Sequence, residues 1–311
     1  MRAPTGRQFT ISRDLAAGPA TATITELAAG IRRFSVDGVD LAEPFGEFES
    51  PPAACGIVLV PWPNRVENGL WHLDGEPQQL DLTDPGRKQA THGLLRNTAY
   101  TVVEQLEHSV TLVASVFPQH GYPFHLETIV HYELADAGLR VTHTLTNVGA
   151  ASAPVAIGTH PYLRLGDTPI GDLTLTVDAR TRFELDDRLI PTREIPVDGD
   201  FDLVAGRRVG DLDLNVTLGG VRMTDGRARH RLEAPDGSAV ELWQGDAFGY
   251  VQVFTPRTFP RGGVEGLAIA IEPMTAPPNA LVTGQSLRWL EPGAHWAASW
   301  GIDYTGPNEG E

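Results

Sequence analysis

An all-β fold, built as one large antiparallel β-sandwich, is what three features of the sequence predict. Apolar and polar residues alternate with period two over short windows, and 33 glycines and 24 prolines are spread along the whole chain. No window keeps apolar residues at a helical period for three turns. Many short strands separated by turn residues are the signature of a sandwich.

The elements follow in order. Residues 57–60 form an apolar run that leads into the proline-rich corner Pro61, Trp62, Pro63. Residues 100–117 read as a strand pair. In 125–134, Leu126, Thr128, Val130, Tyr132 and Leu134 share one face while Glu127, His131 and Glu133 share the other, which makes a half-buried strand. Ala135-Asp136-Ala137-Gly138 supplies a turn, and Leu139, Val141 and Leu145 mark the returning strand. Residues 172–179 and 182–191 add two short strands. The segment 230–244 is a further hairpin, turned by Pro235, Asp236 and Gly237. Residues 267–271 form an apolar strand that Glu272 ends against Pro273. No linker, charge shift or fixed-period repeat divides the 311 residues, so a single domain over 1–311 is expected.

Composition limits the function. A formal net charge of -16 without a basic run gives no electrostatic footprint for nucleic acid or an anionic membrane. The expected partner is a small molecule, with the chain a monomer or homodimer. The lone Cys55 provides neither a disulfide framework nor a cysteine-rich zinc site, and reads as a small buried hydrophobe. No segment has the apolar length of a signal h-region or a membrane span, so a cytoplasmic location is expected.

Several polar residues sit where a binding loop would need them. Asn64 and Arg65 follow the proline-rich corner, and a guanidinium there suits two oxygens of a polyol. His92 precedes Gly93 at a loop end, and His160 is held extended by Pro161 between Gly158 and Gly166. Asp211 and Asp213 face the same way in an extended segment. The Gln252 amide lies between Val251 and Val253, where burial demands a partner. Glu272 closes a buried strand, which raises its proton affinity towards that of a useful base. Each also fits a structural role taken singly. The histidines His120, His125 and His131 match no established metal-ligand spacing, and Trp289, Trp296 and Trp300 read as packing residues more than as a sugar-stacking platform.

In one order across residues 61–281, the segments PWPNR, HGLLR, GTHPYLRL, LDLN, VQVFT and AIEPMTAPPNAL resemble the aldose 1-epimerase (galactose mutarotase) family, and HGYPFHLETIVHYEL extends the likeness. The resemblance implies a galactose mutarotase-like β-supersandwich that interconverts the α and β anomers of a free monosaccharide such as galactose or glucose, with neither metal nor cofactor. By that likeness Glu272 is the general base at the C1 hydroxyl and His160 the acid at the ring oxygen. Arg65, His92 and Asp213 hold the sugar, and Asn64, Tyr162 and Gln252 are further pocket positions. The chain departs from the family after His160-Pro161-Tyr162, where Leu163, Arg164 and Leu165 replace Phe-Asn-Leu, around Asp213, and at Met274. Leu163 and Arg164 are therefore expected to retune the pocket. Two other readings stay open. One is a hexose-6-phosphate 1-epimerase of the same fold, with Arg96, Arg164 or Arg257 on the phosphate; the other is a non-catalytic carbohydrate-binding protein.

Overall fold

The computed structural model describes residues 2–307. Three antiparallel sheets dominate it: a four-stranded N-terminal sheet, a nine-stranded sheet and an eight-stranded sheet. The one α-helix among the described residues is the single turn Ala280–Thr283.

The alternating segments become the nine-stranded sheet. Leu126–Ala135 and Gly138–Asn147 pair from Leu126↔Asn147 to Ala135↔Gly138, so the turn sits where its residues predict. The strand His295–Thr305 then pairs with Gly138–Asn147 on one side and Ala239–Gly245 on the other. Val130, Tyr132 and Leu134 join the core, as do Val141, Leu145, Trp300 and Ile302. Trp300 is fully buried and donates its indole N–H to His143 Nε2 at 2.9 Å, while Trp289 is exposed. Cys55 is buried.

The eight-stranded sheet runs through Pro191–Pro196, Thr181–Leu185, Asn215–Gly219, Tyr250–Phe254, Ile269–Met274, Gly158–Thr159 and Val58–Leu59, with Tyr162–Leu163 also on Ile269–Met274. Its two faces differ in kind. Val216, Leu218, Val251, Val253, Ile269 and Ile271 point into the main core. Strict alternation then turns Thr217, Gln252 and Glu272 to the opposite face, and the register aligns them: Thr217 opposes Gln252, which opposes Glu272.

The strand bearing Glu272 does not end there, contrary to the sequence expectation; it continues to Met274. The reason lies on its far side. Gly158–Thr159 pairs only at Met274, and Tyr162–Leu163 only at Ile269 and Ala270. Between these two short pieces the pairing with this strand lapses over residues 159–161, crossed by one bond, from the Ile271 N–H to Pro161 O at 3.2 Å. Pro273, which has no N–H to give, sits opposite the interruption and is tolerated inside the strand. His160 occupies the same gap, next to Glu272.

Among the described residues no helix is long and apolar enough to cross a membrane.

Candidate active site

A cavity of about 320 Å³ opens over the polar face of the eight-stranded sheet. Seven residues singled out from the sequence line it: Asn64, Arg65, His92, His160, Tyr162, Gln252 and Glu272.

The floor is built from the aligned row. His160 Nε2 lies 3.5 Å from Glu272 Oε1, and both side chains are more than nine-tenths buried. Tyr162 stacks on the His160 ring with centroids 5.3 Å apart and planes inclined by 24°. His92 meets the same ring edge-on at 5.3 Å. Four atoms of this group, His92 Nδ1, His160 Nδ1, the Tyr162 hydroxyl and Glu272 Oε2, are buried with no hydrogen-bond partner among the described residues.

One wall comes from two tight loops. Asn64 and His92 both adopt left-handed backbone, with φ of 55° and 65°. Such conformations in non-glycine residues need surrounding structure to hold them. Here the His92 N–H donates to the Asn64 carbonyl at 2.8 Å, and the Leu94 N–H to Val60 O at 2.8 Å. Gly93 makes that approach possible: a Cβ built there would lie 2.0 Å from the Val60 carbonyl oxygen. Thr91 and Arg96 complete the wall, with Arg96 Nη1 donating to Thr91 Oγ1 at 2.7 Å.

Polar side chains across the floor are chained together. Arg65 Nη1 donates to Asn64 Oδ1 at 2.7 Å, Asn64 Nδ2 to Gln252 Oε1 at 3.5 Å, and Gln252 Nε2 to Asn215 Oδ1 at 2.8 Å. Thr217 also donates to Gln252 Oε1, at 2.5 Å. Gln252 thus spends most of its amide on neighbours, and the free donors of Arg65 and Asn215 are the ones presented to a ligand.

Electrostatics follow from burial. Loss of solvation pushes the Glu272 carboxyl up to about 8, with Arg65 pulling the other way. Burial lowers His160 to about 4, with Arg96 and Arg65 adding to the effect. His92 is driven well below its ordinary value by burial first, then by His160 and the two arginines. A carboxyl that stays protonated to about pH 8 when folded, but ionises in the ordinary range when unfolded, stabilises the fold fully only at acid pH. That contribution is lost as pH rises through about 8. Glu272→Gln should therefore melt several degrees above wild type at pH 9 and close to it at pH 4, measured by thermal unfolding; equal differences at both pH values would contradict the burial argument.

The structure does not gather every expected residue. Asp213 is exposed and does not line the cavity; Asn215, on the same period-two face and opposite Phe254 in the adjacent strand, does. Leu163 is fully buried in the main core and Arg164 turns away to Glu43, Gly166 and Asp167, so neither can retune the cavity by contact. Arg257 binds the carbonyls of Gly210 and Leu212, leaving Arg96 as the one member of the expected phosphate-binding trio in the cavity. His131 is taken up by Thr111 at 2.8 Å, and His125 packs on Phe117 at 5.0 Å. Asn215, Phe254, Thr91 and Asp84 also line the cavity without standing out in the sequence, and Thr217 supports Gln252 from beneath; for Asn215 and Thr217 the period-two face of their strand is the available signal.

Residues 14–302 match the aldose 1-epimerase family. The chain is 33% identical to the uncharacterized protein YihR of Escherichia coli K12 over 284 residues, covering 90% of this chain and 88% of that one. It is 29% identical to human galactose mutarotase over 208 residues, 62% of this chain and 59% of the human protein. Among solved structures, the GalM/aldose epimerase homologue from C. elegans superimposes with a TM-score of 0.84 at 21% identity, covering 97% of this chain and all of that one. A putative aldose 1-epimerase from E. coli K12 gives 0.80 at 19% identity over 96% of this chain and 99% of that one. With its antiparallel galactose mutarotase-like sheets and a family match over nearly its whole length, the chain belongs to the aldose 1-epimerase family.

Proposed function

We propose that the protein interconverts the α and β anomers of a free aldose, with Glu272 and His160 exchanging protons with the substrate. The observation that carries this reading is the pair itself: a carboxyl and an imidazole 3.5 Å apart, buried at the floor of a sugar-sized polar cavity. Opening a hemiacetal requires one group to remove the C1 hydroxyl proton and another to protonate the ring oxygen.

Between about pH 4 and pH 8 the pair holds a single proton. Burial favours that proton on Glu272 in the empty cavity, because both groups are then neutral. Sugar hydroxyls and Arg65 stabilise the carboxylate, and at 3.5 Å the proton passes to His160. Glu272 then takes the C1 hydroxyl proton while His160 gives its own to O5. The C1–O5 bond breaks as the C1 carbonyl forms. Rotation about C1–C2 presents the other carbonyl face; His160 recovers the O5 proton, Glu272 returns the other to O1, and the ring closes as the opposite anomer. Arg65 and Asn215 supply donors for the sugar hydroxyls. Both proton carriers are present, which favours an enzyme over a carbohydrate-binding protein. The test is NMR or polarimetry of freshly dissolved α-glucose and α-galactose: wild type should shorten equilibration of at least one aldose, and no acceleration of any would reject the reading.

Arg96 supports a second substrate class. It lines the cavity, donates only to the neutral Thr91 hydroxyl, and has no carboxylate within ion-pairing range among the described residues. An aldose 6-phosphate would supply the missing anion. Arg96→Gln should then lower the ratio of kcat/KM for glucose 6-phosphate to that for glucose by roughly tenfold or more. An unchanged ratio would remove phosphate from consideration.

A further inference from the structure

Behind the cavity floor lies a buried ion cluster that the proposed chemistry does not use. Glu43 follows the short strand Val39–Asp40 of the N-terminal sheet, and its carboxylate is wholly inaccessible to solvent. Two guanidiniums converge on it. Arg261, from the hairpin Phe259–Arg261/Val264–Gly266, donates through Nε to Glu43 Oε2 at 3.0 Å and through Nη2 to Oε1. Arg164 Nη1 stands 3.5 Å from Oε2, while its Nε donates to Gly166 O at 2.8 Å.

Each partner is attached to the catalytic floor by a different route. The Glu43 N–H donates to Tyr162 O at 2.9 Å, and the Arg164 N–H to Leu41 O at 3.1 Å. Arg261 lies two residues from Phe259, whose ring packs on Tyr162 at 4.6 Å, and Tyr162 stacks on His160. Phe259 and Tyr162 belong, with Phe45, Cys55, Ala268 and Ala270, to a small apolar cluster separate from the main core. The hairpin that carries Phe259 into this cluster is a two-stranded element of marginal stability on its own. A buried carboxylate with two guanidiniums adds little net stability compared with apolar residues of the same volume, whereas its geometry is specific.

We propose that Glu43, Arg261 and Arg164 act as a positioning clamp that fixes the Phe259–Tyr162–His160 stack and so aims His160 Nε2 at Glu272. This inference rests on His160 being the proton donor. The residues are positioning residues, since none of the three lines the cavity. It also gives Arg164 a role: the residue that departs from the family pattern acts through the ring before it in sequence.

The test uses the full chain with Arg261→Met, Arg261→Lys and Glu43→Gln, each checked for native fold by circular dichroism. Displacing a reacting group by about 1 Å is worth roughly a hundredfold in rate, so Arg261→Met should lower kcat by about ten- to a hundredfold with KM changed less than about twofold. Arg261→Lys should recover part of the loss. The His160 ring resonances, followed by pH titration in the NMR spectrum, should shift in Arg261→Met and Glu43→Gln. His160 also faces Glu272, His92, Arg65 and Arg96, none of which these substitutions alter. Wild-type kcat and an unmoved His160 titration in folded Arg261→Met would overturn the clamp, even if Glu43→Gln failed to fold. A shifted titration in a protein that accelerates no aldose would uphold the clamp and reject the proposed function instead.

Discussion

Glu272→Gln should lower kcat for anomer exchange by about 10²- to 10⁴-fold, and His160→Asn by a comparable factor, because in the proposed mechanism each removes one of two positioned proton transfers. The double variant should be little worse than the more damaged single one, since a base without its acid already fails. The wild-type pH profile carries the same information. Below about pH 4 both groups are protonated and no base remains; above about pH 8 both are deprotonated and no acid remains. Activity should therefore hold a plateau between these limits and fall on either side. The two apparent values belong to the coupled pair, so either substitution should erase the plateau and leave one limb. Polarimetry on fresh α-anomer across pH, corrected for the spontaneous reaction, measures all of this. Equilibration by both variants at the wild-type rate would refute the assignment of acid and base.

Gly93→Ala should strongly destabilise the fold. Gly93 has φ of 72°, and its Cβ position falls 2.0 Å from the Val60 oxygen, a backbone atom that cannot swing aside. Left-handed strain and the forced separation of two strand ends should together lower unfolding free energy by at least about 2 kcal/mol. Because His92 takes its N–H partner from the same loop pair, sugar affinity should fall with it. Urea denaturation and KM for the preferred aldose check both halves; a wild-type midpoint would show that the loop relaxes without penalty.

Local features of this fold are legible in the sequence and distant ones are not. The 126–147 hairpin is fixed by its alternation and its turn, which act within the hairpin itself. Nothing local announces that His295–Thr305 fills the middle of that sheet, or that Glu272 lies within a strand instead of ending it. The latter depends on a lapse in pairing across residues 159–161, more than a hundred positions away. The site divides in the same way. His160, Glu272, Arg65, His92, Asn64, Tyr162 and Gln252 stand in quotable motifs, and the structure brings them to one cavity. The sequence points to Asp211 or Asp213, but Asp211 lies in the 3-10 turn Val209–Asp211, where period-two alternation does not apply, and Asp213 is exposed. The choice of Asn215 is made by its register with Phe254 and by the hydrogen bond from Gln252.

The alternation of the eight-stranded sheet also bears on how such a protein can change. Along Asn215–Gly219, Tyr250–Phe254 and Ile269–Met274, residues that face the cavity and residues that fill the core occupy adjacent positions on one rigid frame, pointing opposite ways. A substitution at Asn215 can alter which groups the cavity presents to a ligand while Val216 and Leu218 keep the packing intact. Recognition and foldedness are thus separately adjustable, and preference for a new sugar can arise in single steps without passing through an unfolded intermediate.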